Sequence, residues 1–201
     1  MSQPKRRKSA SDRKAQIVET AIRLSAEIGP DRVTTQHLAN EIGVTQPAIF
    51  RHFATKSDIW SAVGERISRD FTQLYTQPDD LGQDDPHSKL HRLVSAHLAH
   101  ISLNPAIPAI LSSRELQAEN ATLRKTFAAL LNARHESIAG LIRSAQKSGL
   151  HRAEMAAEDA AHLLTSAMHG LSMNWLLNNG AFDLAEEGGR MLGGLIDGFR
   201  A

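Results

Sequence analysis

The stretch from Val33 to Trp60, VTTQHLANEIGVTQPAIFRHFATKSDIW, decides the fold of the N-terminal part of the chain. Thr34 or Thr35 is suited to cap a short helix, because a hydroxyl oxygen accepts a hydrogen bond from a free N–H group of the first turn. The apolar residues of this helix repeat on one face, at Leu38, Ala39 and Ile42. Gly43 then predicts the helix end, since glycine adopts the left-handed conformation of a helix stop without steric cost.

A second short helix follows that glycine. Thr45 is its capping residue, and Gln46 and Pro47 occupy the first turn, where the missing proline N–H leaves no helical hydrogen bond unmade. Ile49 and Phe53 are four residues apart and share the inner face. Two short helices joined by a tight glycine turn form the helix-turn-helix pattern, whose second helix can enter a DNA major groove. An ordinary helical hairpin with a solvated basic face is the alternative interpretation.

Three side chains at the start of the second helix are candidates for contacts with base edges. Gln46 can form a bidentate pair with adenine. Pro47 offers an apolar surface to a thymine methyl group, and Thr45 can reach a base or a phosphate. We therefore expect sequence recognition to depend on this first turn.

Other side chains of the stretch suit phosphate oxygens, which position a protein on DNA without reading its sequence. These side chains are Thr35, Arg51, His52 and Lys56. The next helix, expected to start at Ser57, would add free N–H groups near Asp58 that can also hold a phosphate.

This stretch resembles the DNA-binding signature of the TetR (tetracycline repressor) family. The matching positions are Thr34, Thr35, Leu38, Ala39, Ile42, Gly43, Val44, Ile49, His52, Phe53 and Lys56. The chain departs from the family pattern at Phe50, where the family usually has a tyrosine whose hydroxyl bonds a phosphate. Phe50 can offer only van der Waals contact to DNA.

The resemblance implies an all-α fold. It comprises an N-terminal three-helix DNA-binding domain and a C-terminal helical domain that dimerises and binds a small molecule, with release of DNA on binding. Six residues could line the ligand cavity, although each is equally typical of a helical core. They are Phe71, Leu98, Ile101, Phe127, Met168 and Trp175.

The composition is that of a soluble helical protein. The chain has 201 residues and no cysteine, which excludes disulfides and thiolate metal sites. It has no run of about 20 apolar residues, the length that crosses a bilayer, and no apolar segment follows the basic N-terminus as in a signal peptide. We therefore expect a cytoplasmic protein with no membrane partner.

Charge and composition divide the chain into three parts. Residues 1–10 include the basic run 5–8 and predict a disordered arm, which would either lie along DNA or serve only as a solubilising tail. Residues 11–56 form the predicted helix-turn-helix domain, and residues 57–201 the regulatory and dimerisation domain. Residues 1–56 hold 10 Lys and Arg against 5 Asp and Glu, whereas the remainder holds 13 against 17. This asymmetry favours a nucleic-acid surface on the first part.

About nine helices are predicted in all. The first begins near Ser11 or Asp12 and ends at Gly29. It supports the two short helices of the helix-turn-helix, and we call the predicted domain of residues 11–56 the reading unit. Apolar spacing predicts further helices at about 57–75, 89–103, 106–113, 120–147 and 156–177, and a last helix carrying Leu184 to Phe199. The acidic segment 76–88 contains Pro and Gly and is predicted as a loop.

The last two predicted helices suggest a dimer interface. Helix 156–177 is apolar nearly all round, and such a helix must be covered on both sides. Glycine costs about 1 kcal/mol relative to alanine inside a helix, yet the final helix contains Gly188, Gly189, Gly193, Gly194 and Gly198. We expect these glycines to allow close approach of another backbone, and hence a homodimer through about 156–200. The alternative is that this pair only covers the monomer core.

The sequence carries no recognisable catalytic or metal motif. His87 and His91, like His97 and His100, are spaced to share a helical face, but no carboxylate completes a recognisable ligand set. The predicted loop carries four aspartates whose spacing does not match the EF-hand pattern: Asp79, Asp80, Asp84 and Asp85. We expect no enzymatic activity, no cofactor and no metal.

The hypothesis that follows is a homodimeric, ligand-responsive repressor that binds a palindromic operator in double-stranded DNA. The first alternative is a structural DNA-binding protein of the same fold that recruits a protein partner, as nucleoid-occlusion factors do. The second is a small-molecule enzyme that carries a helix-turn-helix, which the absence of a nucleophile–base pair disfavours.

Overall fold

The computed structural model describes residues 9–76 and 84–201, and most of these residues are helical. No β-strand occurs in that part, so the all-α prediction is confirmed. Its ten α-helices are α1 (Ala10–Ile28), α2 (Thr35–Ile42), α3 (Gln46–Phe50), α4 (Lys56–Thr76), α5 (Pro86–Leu103), α6 (Ala106–Ser112), α7 (Arg114–Glu119), α8 (Ala121–Lys147), α9 (Ala157–Leu177) and α10 (Glu186–Asp197). The basic run 5–8 and the loop aspartates Asp79 and Asp80 lie outside the described residues.

Two helices begin earlier than predicted, because their capping residues precede the expected ones. Ser9 caps α1, where its hydroxyl accepts from the Asp12 N–H at 3.0 Å and the Asp12 carboxylate accepts from the Ser9 N–H at 3.2 Å. Asp85 caps α5 and accepts from the Ser88 N–H at 3.0 Å, with Pro86 in the first turn. The predicted loop therefore ends before residue 86.

The helix-turn-helix forms as its sequence predicts, except that the hydroxyl of Thr45, the predicted capping residue of α3, makes no capping hydrogen bond. The Thr34 hydroxyl caps α2 by accepting from the His37 N–H at 3.1 Å. Gly43 ends α2 in the left-handed conformation, with φ 73° and ψ 42°. Leu38 of α2 and Ile49 of α3 are fully or almost fully buried in the hydrophobic core, whereas Thr45, Pro47 and Phe50 at α3 are exposed.

Two hydrogen bonds from helix-capping residues link the N-terminal part of the chain, up to α4, to α7 and α8. Asn120, which caps α8, donates from Nδ2 to the Ser57 carbonyl oxygen at 2.8 Å. The Ser113 hydroxyl, which caps the unpredicted helix α7, donates to the Asp31 carboxylate in the turn before α2. The capping residues of α7 and α8 are therefore hydrogen-bonded to segments on both sides of the helix-turn-helix.

α4 packs closely against α8 at a glycine. A Cβ built at Gly64 would lie 2.6 Å from Leu123 Cδ1, and that leucine is fully buried. At Gly140, on α8, an added Cβ meets nothing within 4 Å. Both glycines lie inside helices, where alanine has the higher helix propensity. Only Gly64 is tightly packed against another helix.

We expect Gly64→Ala to lower the free energy of unfolding by about 1 kcal/mol, because overpacking at Leu123 outweighs the helix propensity gained. Gly140→Ala is the control and should raise it by up to about 1 kcal/mol. Urea unfolding followed by circular dichroism measures both values. Stabilisation by both substitutions would contradict the close contact between α4 and α8.

No single helix in residues 9–76 and 84–201 meets the length and hydropathy test for a membrane span. α5 and α6 meet it only as a pair, across a bend of 94°.

Candidate nucleic-acid interface

The first turn of α3 presents side chains to solvent at one end of the molecule. Thr45 and Pro47 are exposed, and the Thr45 hydroxyl makes no capping hydrogen bond with α3. Phe50, at the other end of this short helix, is 41% exposed. These three side chains are therefore accessible to a macromolecule that approaches α3 from outside.

Gln46 is held in a defined orientation by α2. Its Nε2 donates to the Thr35 hydroxyl oxygen at 2.7 Å, and Thr35 itself is only 8% exposed. A glutamine amide has two N–H donors and one carbonyl oxygen. One N–H and the oxygen therefore stay free, and these are the two groups that a bidentate contact with adenine requires.

The cationic candidates lie at the end of α3 and the start of α4, and the described residues place no acid in an ion pair with Arg51 or Lys56. Arg51 is exposed directly after α3, and His52 and Lys56 are partly exposed. Among the ion pairs of residues 9–76 and 84–201, none includes Arg51 or Lys56. Their charges are thus available to phosphate oxygens. Thr35 differs from them, because its hydroxyl is engaged with Gln46.

The start of α4 is less open to phosphate than expected. The helix begins at Lys56 instead of Ser57. The Asp58 N–H donates to the Thr55 hydroxyl at 3.1 Å, while the Thr55 N–H donates to the Asp58 carboxylate at 2.8 Å. This reciprocal cap occupies the N–H group of Asp58 and places a carboxylate beside it, so the Asp58 N–H itself is not available to a phosphate.

A small cavity of about 30 Å³ lies between α4, α5, α6, α8 and α9 in the C-terminal domain. It adjoins an open groove of about 510 Å³. Four residues line both: Leu111, Leu131, Arg134 and His169. Of the six residues suggested from sequence, Phe71 and Ile101 line the cavity, whereas Leu98, Phe127 and Met168 are buried core and Trp175 lines neither space.

Arg134 is the unexpected feature of this cavity. Its Nε is buried without a hydrogen-bond partner, and no acidic residue lines the cavity or the groove. Burial lowers the pKa of Arg134, with Tyr75 acting in the opposite direction, but a guanidinium remains charged at neutral pH. The cavity therefore contains a cation with no counter-ion among the described residues.

The groups next to Arg134 are neutral hydrogen-bonding groups. Tyr75 and His97 are joined by a hydrogen bond of 2.8 Å between Oη and Nδ1. Burial raises the pKa of Tyr75, and burial together with Arg134 lowers the pKa of His97 and of His169. Since Tyr75 stays protonated and both imidazoles stay uncharged near neutral pH, none of them neutralises the guanidinium.

The sequence contained a signal for Arg134. Leu130 and Ile138 are buried on the inner face of α8, and Arg134 lies midway between them at a spacing of four. A charged residue at an inward position of an amphipathic helix is unusual. That position could have been identified from the helical periodicity alone.

The outer side of α9 and α10 carries exposed apolar residues. Leu163 is 56% and Leu177 is 76% exposed, and Gly170 lies midway between them with nothing within 4 Å of an added Cβ. A spacing of seven residues returns almost to the same side of a helix. Leu163, Gly170 and Leu177 therefore form one stripe on α9. α10 also has open positions, at Met191 and Gly194.

The glycines of α10 pack differently from the sequence expectation. An added Cβ at Gly188 would lie 3.1 Å from Leu98 Cδ1, and one at Gly193 would lie 3.4 Å from the His91 ring. Gly189 faces Ser95 at 3.7 Å. These three allow α10 to pack closely on α5 of the same chain, so the inference that they face another chain is wrong.

Comparisons with known sequences agree with this architecture. The family described as "Bacterial regulatory proteins, tetR family" matches residues 17–63, and the family described as "YsiA-like protein, C-terminal region" matches residues 69–198. The chain belongs to the TetR family of bacterial regulatory proteins, as a helix-turn-helix transcriptional regulator with a YsiA-like C-terminal region.

Individual relatives are more distant. Nucleoid occlusion factor SlmA of Haemophilus ducreyi is 30% identical over 119 residues, 59% of this chain and only 58% of that relative. HTH-type transcriptional regulator AcrR of Shigella flexneri is 23% identical over 188 residues, 91% of this chain and 87% of that one. The crystal structure of the transcriptional regulator FadR from Bacillus subtilis in complex with stearoyl-CoA has a TM-score of 0.75 at 18% identity, and the match covers 93% of this chain and 99% of that chain.

Proposed function

We propose that this TetR-family regulator is a ligand-responsive repressor that acts in the cytoplasm and binds a palindromic operator as a homodimer. The observation that carries the proposal is the α3 edge, where Gln46 is oriented by Thr35 while keeping one N–H and its carbonyl oxygen free. An oriented amide loses less side-chain entropy on binding than a mobile one, which favours base recognition over general electrostatic attachment.

Each side chain of the interface has a role in this proposal. Gln46, Pro47 and Thr45 contact base edges in the major groove. Thr35 orients Gln46 and adds a hydroxyl near the phosphate backbone. The remaining three cationic or donor residues, Arg51, His52 and Lys56, bind phosphates, and Phe50 adds van der Waals contact.

Gln46→Ala tests whether this side chain recognises bases, and Lys56→Ala tests whether this side chain binds phosphate. We expect Gln46→Ala to reduce the preference for operator over random DNA by about 10- to 100-fold, since one bidentate contact discriminates by about 1–3 kcal/mol. Lys56→Ala should weaken binding to all duplexes and lower the magnitude of the salt slope by about 1. Fluorescence anisotropy at several salt concentrations measures both, with an operator first selected by the parent protein from random duplexes.

Thr35→Val is a matched variant, because valine keeps the branched shape of the buried side chain but removes the acceptor of the Gln46 amide. Thr35→Val should reduce the preference for operator over random DNA, but by less than Gln46→Ala does. Parent-like binding of both duplexes by Gln46→Ala and Lys56→Ala would refute the roles proposed for α3.

The homodimer of this proposal uses the stripe on α9, with α10, within about 156–200. Leu163 and Leu177 are the apolar anchors, and Gly170 and Gly194 leave room for another backbone. Two reading units related by a two-fold axis can engage half-sites about 34–36 Å apart, which a palindromic operator provides. The exposed apolar stripe is what supports this choice of surface.

The effector of this proposal is a small organic acid with an apolar body. Its carboxylate would pair with Arg134, and its body would contact the aliphatic walls. FadR from Bacillus subtilis, which has a similar fold, was solved in complex with stearoyl-CoA, and this supports a small-molecule effector here. The cavity of about 30 Å³ is far smaller than the roughly 300 Å³ of the smallest usual ligand pockets. Binding therefore requires the shared walls Leu111 and Leu131 to move outwards.

The proposed coupling runs through α4, which extends about 30 Å from Lys56 beside the reading unit to the cavity. Phe71 and Tyr75, near its C-terminal end, line the cavity. Displacement of these rings tilts α4 and changes the separation of the two reading units in the dimer. The effector thus releases DNA by binding the DNA-incompetent arrangement more tightly.

A structural DNA-binding role is the second candidate function. The 30% identity with a nucleoid occlusion factor is the observation in its favour. Chromatin immunoprecipitation combined with transcript measurement separates the two. Binding at a few promoters whose transcripts rise on deletion supports the repressor, whereas sites scattered through the chromosome with unchanged transcripts support the structural role.

A further inference from the structure

Three histidines and an aspartate meet where α5 begins and α10 ends. His87 and His91 lie one turn apart on α5, and Asp197 is the last residue of α10. His151 follows α8 and packs edge-on against the His87 ring. The sequence expectation that no carboxylate completes the His87 and His91 pair was wrong, because Asp197 reaches them from 106 residues beyond His91.

The ligand atoms of this cluster have a spacing suited to a metal ion. Asp197 Oδ1 lies 3.2 Å from His87 Nε2 and 3.3 Å from His91 Nε2, and all three atoms lie within 4.8 Å of one another. Ligands bound tetrahedrally at about 2.0–2.1 Å from zinc are about 3.3 Å apart. Two of the three edges already have this length.

The hydrogen bonds around His87 leave one mismatched contact in either neutral tautomer of the ring. Arg200 Nε donates to His87 Nε2 at 3.2 Å, so the proton of His87 lies on Nδ1, which donates to His151 Nε2 at 2.9 Å. The lone pair of His87 Nε2 then faces the Asp197 carboxylate. In the other tautomer the Arg200 N–H would face an imidazole N–H. Each tautomer thus leaves one contact mismatched.

We propose that His87 Nε2, His91 Nε2 and Asp197 Oδ1 bind a divalent transition-metal ion of the zinc type. Two imidazoles and one carboxylate form a donor set that such ions prefer, and a fourth position is left for water. His151 supports the site, since its contact with His87 Nδ1 fixes the tautomer that leaves Nε2 free for the metal. Arg200, 3.2 Å from His87 Nε2 and 3.6 Å from Asp197 Oδ1, supplies the positive charge when no ion is bound.

The surroundings favour the metal-binding form of the site. The His87 ring is only 5% exposed, so its orientation in the site is restricted. The backbone is also braced: the Arg152 N–H donates to the Phe199 carbonyl oxygen at 3.0 Å. A bound ion would tie the end of α10 to the start of α5 and thereby stabilise the C-terminal domain. This inference does not depend on the proposed DNA-binding or effector sites.

Metal titration of untagged, chelator-treated protein tests the proposal, with Co²⁺ and Zn²⁺ as probes. The parent protein should bind one ion per chain and give the visible Co²⁺ absorption of a site with low coordination number. Asp197→Asn and His91→Ala should each weaken Zn²⁺ binding by at least about 10-fold. His162→Ala is the control and should bind as the parent does. Its stacked partner is His135, and the described residues bring no carboxylate to metal-ligand distance of that pair.

Arg200→Ala keeps the proposal testable if a ligand variant fails to fold. Removal of the competing guanidinium should tighten Zn²⁺ binding, whereas a purely structural hydrogen-bond cluster would bind no ion in either form. Absence of stoichiometric binding by the parent, parent-like affinity of Asp197→Asn, or weaker binding by Arg200→Ala would each overturn the assignment. Circular dichroism of every variant verifies that its helices are intact.

Discussion

Leu163→Arg should convert the protein to a monomer and reduce its operator affinity by about 100-fold or more. Leu163 is 56% exposed in the single chain, at one end of the α9 stripe. Arginine at this position should change the stability of the monomer little, because substitutions of exposed residues usually change it by less than about 0.5 kcal/mol. In a two-fold interface the same substitution inserts charges into an apolar contact, which is strongly unfavourable unless they are paired.

The loss of DNA affinity follows from geometry. A dimer engages its second half-site as an intramolecular step, which raises overall affinity by about 10²–10⁴-fold over one reading unit alone. A monomer keeps the contacts of α3 but loses this advantage. Sedimentation velocity measures the oligomeric state, and anisotropy with full-site and half-site duplexes measures the binding. The variant should bind the half-site as the parent does and lose only the advantage of the full site.

Leu103→Arg is the matched control, because Leu103 ends α5, is 80% exposed and is not part of the α9 stripe. The Leu103→Arg protein should remain dimeric and bind the operator with the affinity of the parent protein. Leu177→Arg, at the other end of the stripe, should reproduce the effect of Leu163→Arg. A dimeric Leu163→Arg protein with unchanged operator affinity would exclude the α9 surface as the interface.

The sequence predicted features that depend on a few neighbouring residues. Thr34 caps α2, Gly43 ends it and Pro47 sits in the first turn of α3, since capping and left-handed turns are set within one helical turn. The helix-turn-helix was therefore predictable before any tertiary contact was known. The early start of α5 at Asp85 was missed although its signal is equally local.

Other features depend on contacts across the chain and were not predictable from spacing. Asp197 joins His91 only because α10 packs on α5, and glycines such as Gly193 make that packing possible. The same glycines had suggested a partner chain, since periodicity identifies a face without identifying what covers it. Gln46 is a similar case: its residue type suggested base contact, whereas its bond to Thr35 depends on how α2 and α3 cross.

Arg134→Met should abolish the response to organic acids and also stabilise the protein without ligand. A fully buried unpaired charge costs about 3–5 kcal/mol, and part of the Arg134 side chain reaches solvent, so we expect a gain of about 1 kcal/mol on its removal. Urea unfolding measures this gain. Lys125→Met is the control, because Lys125 is an exposed cation on the same helix, and it should leave both stability and response unchanged.

The acid response is measured by operator release during titration with hexanoate, octanoate and decanoate, with the corresponding primary alcohols as neutral analogues. The acids should release DNA from the parent protein and the alcohols should be weaker by about 10- to 100-fold, since a hydrogen bond to a charged group contributes about 1.5–3 kcal/mol. Arg134→Lys should respond only partly, because lysine keeps the charge but loses the bidentate geometry. Equal release by acids and alcohols would contradict the role of Arg134.

Reciprocity gives the strictest test of how the cavity communicates with DNA. If an acid binds one arrangement of Phe71, Tyr75 and α4 better than the other, it weakens operator binding by some factor, and the operator must weaken acid binding by the same factor. Calorimetric titration of decanoate with and without bound operator measures the second factor independently. Unequal factors would mean that the acid releases DNA by competing at α3 or by unfolding the chain. Equal factors that vanish in Arg134→Met would locate the coupling in the buried guanidinium and the helix that leads from it to the reading unit.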